Sequence, residues 1–261
     1  MTAKTPSPLR VESIGHHRQA DEFAGRLAGE CRQGRLALDF TDTWYWHETY
    51  YANLLAGVRT LPLRALQLSG MCFTYQTQEA DDNMRDMMDY HYVQHDADVL
   101  SRVLEGARAS GLPAGLEVLD VRGGHWLPAD GEALAAALPE SLTHLAIRDA
   151  AQAHHALAAL ADRAMPHWTR LTIGGPDAGD VLAKAIAQLF QARRLQHLCL
   201  DAPQLTARGV TALRDAPGLR GRLDLRVVAG ANVRPEVAEL LAQQFPITSK
   251  APPPADGDVG A

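Results

Sequence analysis

Nowhere in the chain does an apolar run approach the roughly 20 residues of a membrane-spanning helix, and Met1 to Arg10, interrupted by Lys4, Pro6 and Pro8, holds no signal-peptide core. A soluble protein made in the cytoplasm is expected; export by a secretion system that reads an unfolded N-terminus would leave no such mark. Cysteine is scarce. Cys31, Cys72 and Cys199 are odd in number, far apart and without a Cys-x-x-Cys pair, which argues against a disulfide framework or a zinc knuckle and favours a reducing compartment. Basic charge is in deficit: the formal charge is −6 and the pI about 6.0, so the long-range attraction that draws proteins to phosphate backbones is missing and no nucleic-acid partner is expected. No Gly-x-Gly-x-x-Gly or Walker-type loop follows a strand, and no serine has glycine at both flanking positions of a Gly-x-Ser-x-Gly elbow.

What is present is a repeat. Apolar residues make up 46% and charged residues 21%, ordinary globular usage, so the 261 residues can bury a sizeable core. Leu116-x-x-Leu119-x-Val121, Leu142-x-x-Leu145-x-Ile147, Trp168-x-x-Leu171-x-Ile173 and Leu195-x-x-Leu198-x-Leu200 are four copies of one pattern, their central leucines advancing by 26, 26 and 27 residues. A looser copy puts Leu223-x-Leu225 another 25 on, with Arg220 where its first leucine belongs. Upstream, Leu63-x-x-Leu66-x-Leu68 matches fully, and the centre of Leu36-x-Leu38-x-Phe40 lies 28 residues before Leu66.

Segments with helical spacing separate these strands: Ala129 to Leu138, His155 to Ala164, Asp180 to Gln191, Thr206 to Arg214 and Pro235 to Phe245. Asp177 to Asp180 and Gln204 to Thr206 supply helix N-caps, because a short oxygen side chain accepts from an otherwise orphaned amide. One such unit cannot bury its own leucine row. Stacked copies can, giving an α/β solenoid with a parallel sheet on one face and helices on the other. A doubly wound sheet also alternates strand and helix, but the near-constant period favours the stack.

Leu116 to Leu225 resembles the ribonuclease-inhibitor-like subclass of leucine-rich repeats, whose units pair a short strand with a full helix. The asparagine that this family places three positions after the last core residue is missing: Gly124, Ala150, Pro176 and Pro203 stand there. The resemblance implies a horseshoe-like arc whose concave face is the sheet, with turns closed by some other means. The arc is expected from residue 18 to 247, after a flexible segment 1–17, with an aromatic-rich part at 41–97 and a disordered tail at 248–261. The gap of 53 residues from Leu66 to Leu119 spans two periods, so a degenerate repeat is expected there with Met87-x-x-Tyr90-x-Tyr92 as its strand, a helix over Asp81 to Tyr92 being the alternative; a helix over Asp98 to Ala109 follows.

Chemistry-bearing residues are few. His91 and His95 are four apart among Glu79, Asp81, Asp82, Asp89, Asp96 and Asp98, and on a helix that spacing would offer two imidazoles to one zinc ion. A solvated acidic loop explains them as well, and no metal or cofactor is expected. Cys199 and His197 share one face of a strand, the start of a nucleophile–base pair, yet no third group orients them. All six tyrosines fall between Tyr45 and Tyr92, and Trp44, Trp46 and Tyr50 cluster behind the first strand, as an end cap, a binding hot spot or both.

In a strand reading Leu-x-x-Leu-x-Leu the leucines face the core, and the residues between and just after them face the other way. Asp120, Arg122, His144, Arg148, Arg170, His197, Asp201, Asp224 and Arg226 thus form one polar surface, with arginine recurring at Arg122, Arg148 and Arg226. Like charges on adjacent strands repel, which points to an acidic partner. The expectation is a non-enzymatic module that binds a partner protein through this surface and the aromatic loop: an adaptor, an immunity-like inhibitor or a bacterial effector. An effector enzyme of ligase or hydrolase type, using His91 and His95 or Cys199, is the alternative.

Overall fold

A computed structural model describes residues 8–11, 20–41, 48–70, 72–80, 90–163, 165–192, 195–219 and 224–245. Eight parallel strands form one open sheet: β1 (Leu9–Arg10), β2 (Arg35–Asp39), β3 (Ala65–Ser69), β6 (Val118–Arg122), β7 (His144–Arg148), β8 (Arg170–Gly174), β9 (His197–Asp201) and β10 (Arg226–Ala229), in that spatial order. The helices are α1 (Ala20–Glu30), α2 (Glu48–Arg59), α3 (Leu100–Ser110), α4 (Pro128–Ala137), α5 (His155–Asp162), α6 (Asp180–Ala192), α7 (Ala207–Asp215) and α8 (Pro235–Gln244). Each packs on the next along the chain. Strands added in one direction, with the right-handed crossovers such units adopt, place the helices in one layer on one face. The strand order never reverses, which excludes the doubly wound rival.

The repeat pattern becomes the register. Leu66, Leu119, Leu145, Leu171 and Leu198 are neighbours across five strands, and none is more than 1% exposed. A second buried row runs through Leu68, Val121, Ile147, Ile173 and Leu200. Behind them the helices contribute Leu104, Leu134, Leu157, Ile186 and Leu213, so each unit covers the leucines of its neighbour. The helix layer is kept close by small residues: a Cβ on Gly131 of α4 would lie 2.5 Å from the carbonyl oxygen of His155 at the start of α5.

At both ends the register departs from expectation. Leu36, not Leu38, lies opposite Leu66, a step of 30 residues. At the other end Val227, not Leu223, lies opposite Leu198, a step of 29. Two turns longer than the internal period account for both slips, and Val227, 4% exposed, fills the leucine row. The sheet also starts before residue 18: Leu9 and Arg10 pair with Leu38 and Asp39, Val11 donates its N–H to the Asp39 carbonyl at 2.8 Å, and its side chain is fully buried.

Between Leu66 and Leu119 there is no additional repeat strand in the sheet, because β3 pairs directly with β6. The chain instead forms an antiparallel hairpin, β4 (Cys72–Ala80) with β5 (Tyr90–Asp98), as a separate two-stranded sheet. Its span of 27 residues, removed from the gap of 53, leaves 26, the internal period. The segment is one repeat with a hairpin inserted between its strand and its helix α3. Thr, Tyr, Phe and Val at alternating positions give it the period of a strand, and this overrode the reading of a leucine-type copy.

The turns lack the asparagine that the resemblance would place there and are closed by carboxylates and tight glycines. Asp177 accepts from the amide of Gln152 in the preceding unit at 3.0 Å and from its side-chain amide at 2.6 Å. Asp180 accepts from the Thr206 N–H at 2.8 Å and its hydroxyl at 2.7 Å, one unit on. Burial alone would raise the Asp180 carboxyl, but those bonds, one from Gly209 and the charge of Lys184 hold it below its ordinary value. Asp201 takes the backbone and side-chain N–H groups of Asn232 at 2.9 and 2.8 Å. Between these points the backbones touch: a Cβ on Gly175 would lie 2.0 Å from the carbonyl oxygen of Ala150.

Two stability outcomes follow from this packing. Leu145→Ala, Leu171→Ala and Leu198→Ala should each cost about 2–5 kcal/mol in denaturant melts, as equivalent fully buried positions; losses near zero at two of them would contradict the register. Gly175→Ala should cost about 1–3 kcal/mol by forcing apart two stacked turns, and an unchanged midpoint would refute the close approach.

Candidate functional site

With helices on one face, the other face of the sheet offers the polar positions of each strand. Three rows cross it. The first holds Val118, His144, Arg170, His197 and Arg226, all register neighbours at the starts of their strands. The middle row runs Ala37, Gln67, Asp120, Ala146, Thr172, Cys199 and Val228. At the strand ends, Asp39 lies beside Ser69, Arg122 beside Arg148, and Gly174 beside Asp201. His144, Arg148, Arg170, Thr172, His197, Cys199 and Arg226 are half-exposed, whereas Asp120 and Ala146 are buried.

Arg122 and Arg148 are adjacent, as the repeat pattern requires, but their repulsion is relieved within the chain. Asp120 accepts from Arg122 Nη2 at 2.8 Å and Nε at 3.0 Å, and its other oxygen lies 3.6 Å from Arg148 Nε. An acidic partner is not needed to explain this pair. The signal was present in the sequence, since Asp120 and Arg122 two apart on a strand share a face.

The third arginine of that expected series belongs elsewhere. With Val227 opposite Leu198, Arg226 moves to the first row beside His197, and Asp224 precedes β10 as an exposed residue instead of standing on the strand face. The first row thus carries Arg170, His197 and Arg226 on three consecutive strands. Among the described residues neither Arg170 nor Arg226 forms an ion pair, and Arg226 Nε is buried without a hydrogen-bond partner. Next to them His144 Nε2 lies 3.1 Å from the Thr172 hydroxyl. Burial opposes the charged form of His197, and Arg170 and Arg226 repel it, so its pKa falls below the ordinary imidazole value.

Other expected residues have internal tasks or fall outside view. Asp201 lies on the sheet but spends its carboxylate on the Asn232 turn. Tyr50 stands in α2 instead of a loop; its hydroxyl donates to the Val11 carbonyl at 3.3 Å and its ring meets Tyr51 edge-on, tying β1 to the helix layer. Tyr51 is fully buried, which pushes its phenol up to about 12 against the charge of Arg102. Trp44 and Trp46 lie outside the described residues. His91 and His95 are on β5, where four residues span about 13 Å of backbone, so the one-turn helical spacing behind the shared-ion reading does not hold. Cys199 is outside any disulfide and stands two positions from His197 on β9.

No protein-family model matches this chain, and no curated protein matches its sequence.

Two measurements probe these groups and His154, at the N-cap position of α5. His154 is lowered like His197, by burial first and His155 next, against Asp177. As pH falls through about 6.5 the unfolded chain therefore takes up these protons before the folded one does, so stability is lost below that value. The melting temperature should fall between pH 7.5 and 5.5, and His197→Gln should shrink that fall; an unchanged slope would show that His197 titrates alike in both states. Asp120→Ala should destabilise by about 1–3 kcal/mol by leaving Arg122 and Arg148 uncompensated, whereas Arg122→Gln should cost less.

Proposed function

We propose that this chain is a leucine-rich-repeat-type solenoid whose work is non-enzymatic: it binds a partner protein through the helix-free face of its sheet. The observation that carries this reading is an all-parallel sheet, in strict chain order, with helices on one face and three rows of mostly polar, half-exposed residues on the other. Strands lie about 4.8 Å apart and helices about 8–10 Å apart. A stack with one helix per strand therefore bends with the sheet inside, giving a concave surface that a globular partner can fill. The lack of the family asparagine does not oppose this, because carboxylates and glycines close the turns from unit to unit. Trp44 and Trp46, outside the described residues, are aromatic anchors in this proposal. The role is that of an adaptor, an immunity-like inhibitor or a bacterial effector that engages a host protein. No helix among the described residues is long and apolar enough to cross a membrane.

The test is affinity capture from a native lysate with four versions of the protein. Thr172→Tyr adds bulk to the open face, Trp44→Ala removes an aromatic anchor, and Val181→Glu alters the exposed face of α6, where Val181 is 61% exposed. Cys199→Ala removes the thiol that an enzyme reading would need. The first two should lose the partner that wild type captures, and the last two should keep it. Capture by Thr172→Tyr equal to wild type would move the binding surface to the helices.

A further inference from the structure

We propose that Arg170, His197 and Arg226 form a carboxylate-binding site for an acidic segment of the partner protein. The inference rests on the open-face reading above and specifies its chemistry. Five observations support it.

First, register neighbours on adjacent strands stand about 4.8 Å apart, so Arg170 and Arg226, one strand to either side of His197, have Cα atoms roughly 10 Å apart. Two guanidinium forks at that separation reach one carboxylate between them, or one carboxylate each from residues i and i+2 of an extended peptide. Second, these arginines lack what Arg122 and Arg148 have. Asp120 sits among the latter at 2.8 and 3.6 Å, whereas no described carboxylate comes within ion-pair distance of Arg170 or Arg226. Third, Arg226 Nε is buried without a hydrogen-bond partner among the described residues; Arg148 Nε is too, but it has the Asp120 carboxylate at 3.6 Å, whereas Arg226 has no described carboxylate in reach. Fourth, the cationic field is local. The chain carries 31 acidic against 25 basic residues, yet three consecutive strands place only arginine and histidine in this row. Fifth, all three residues are half-buried, so the surrounding dielectric is below that of water while a ligand can still reach them.

The same arrangement argues for a short acidic peptide over a nucleic acid. The charged row is three strands wide, about 10 Å, and the opposite edge of the face carries Asp39 and Asp201 beside Arg122 and Arg148, whose charge is partly offset by Asp120. A polyanion with phosphates at every nucleotide would run from the arginines into those carboxylates. A segment with one or two acidic residues and a neutral remainder would not. Asp224, exposed before β10, is the nearest acidic residue in sequence to Arg226.

The experiment uses the full chain and three probes: a blocked peptide alternating Glu and Ser, a thymidine oligonucleotide of equal charge, and inorganic phosphate. The peptide should bind, and peptide addition should raise the pH at which the His197 ring protons titrate by NMR, because a carboxylate offsets the repulsion from both arginines. Arg170→Gln and Arg226→Gln should each weaken peptide binding about tenfold or more, with melting temperatures no lower than wild type since a repulsive pair is removed. Arg122→Gln, whose charge is already matched by Asp120, should change affinity by less than about threefold. Absence of peptide binding by wild type, equal losses in Arg122→Gln, or tighter binding of the oligonucleotide than the peptide would each overturn the proposal. Phosphate binding as tight as the peptide's would also overturn it, as a generic anion site. The two readings separate on the captured partner. If the Arg170→Gln/Arg226→Gln double variant captures it as wild type does while Thr172→Tyr does not, the carboxylate site fails and the open-face function stands; if Thr172→Tyr also captures it, the function fails first.

Discussion

A five-residue strand with a single helix behind it cannot remove its own leucines from water, and every other feature of this molecule follows from the way that burial is shared. Leu119, Leu145, Leu171 and Leu198 are each covered by groups that belong to adjoining units as well as their own. The units must therefore keep one register and one hand, or a leucine row would be left exposed. That requirement sets the parallel order of the sheet and the single layer of helices, with the polar strand positions on the opposite face. It also explains how a 27-residue hairpin can be inserted without breaking the stack: it enters between β3 and α3, after the strand has paired and before the helix packs, so β3 and β6 remain neighbours.

Turns then become the place where the units are locked to one another. Repeats of this kind need some acceptor or donor to satisfy the backbone where strand leaves for helix. Here three carboxylates, Asp177, Asp180 and Asp201, each reach into an adjoining unit, and Gly175 allows the backbone itself to come close. These aspartates account for part of the chain's acidic excess while serving as links between units. Net charge and site charge are for this reason separate matters in this protein: the total is negative while the first row of the open face is positive.

On that face, neighbouring arginines have two different solutions. Where a strand offers Asp-x-Arg, the acid and base lie on the same side and neutralise each other, with Arg148 sharing the acid across the sheet. Where the strands offer only Arg170, His197 and Arg226, no described carboxylate lies within ion-pair distance of either arginine. The proposed carboxylate-binding row beside a self-neutralised one would give the surface a direction, an acidic segment gaining at one edge only.

The sequence by itself determined the strand–helix alternation, the internal period and the identity of the buried rows, because those depend on spacing alone: leucines at i, i+3 and i+5 followed by helical periodicity can hide their apolar side in few other ways. It also determined which side of β6 to β9 faces outward, since alternation on a strand is strict. What only the tertiary structure decided were quantities that depend on contacts between distant residues. Turn length at the two ends moved Leu36 and Val227 into the leucine row and carried Arg226 from one row of the face to another. Pairing with β4 made β5 a hairpin strand where a repeat strand or a helix was expected. The pairing of Asp120 with Arg122 follows from two residues sharing one face of β6, but the sharing of that buried acid with Arg148, which turned an apparent demand for an acidic partner into an internal ion pair, depends on the register of the neighbouring strand, and local sequence does not encode it.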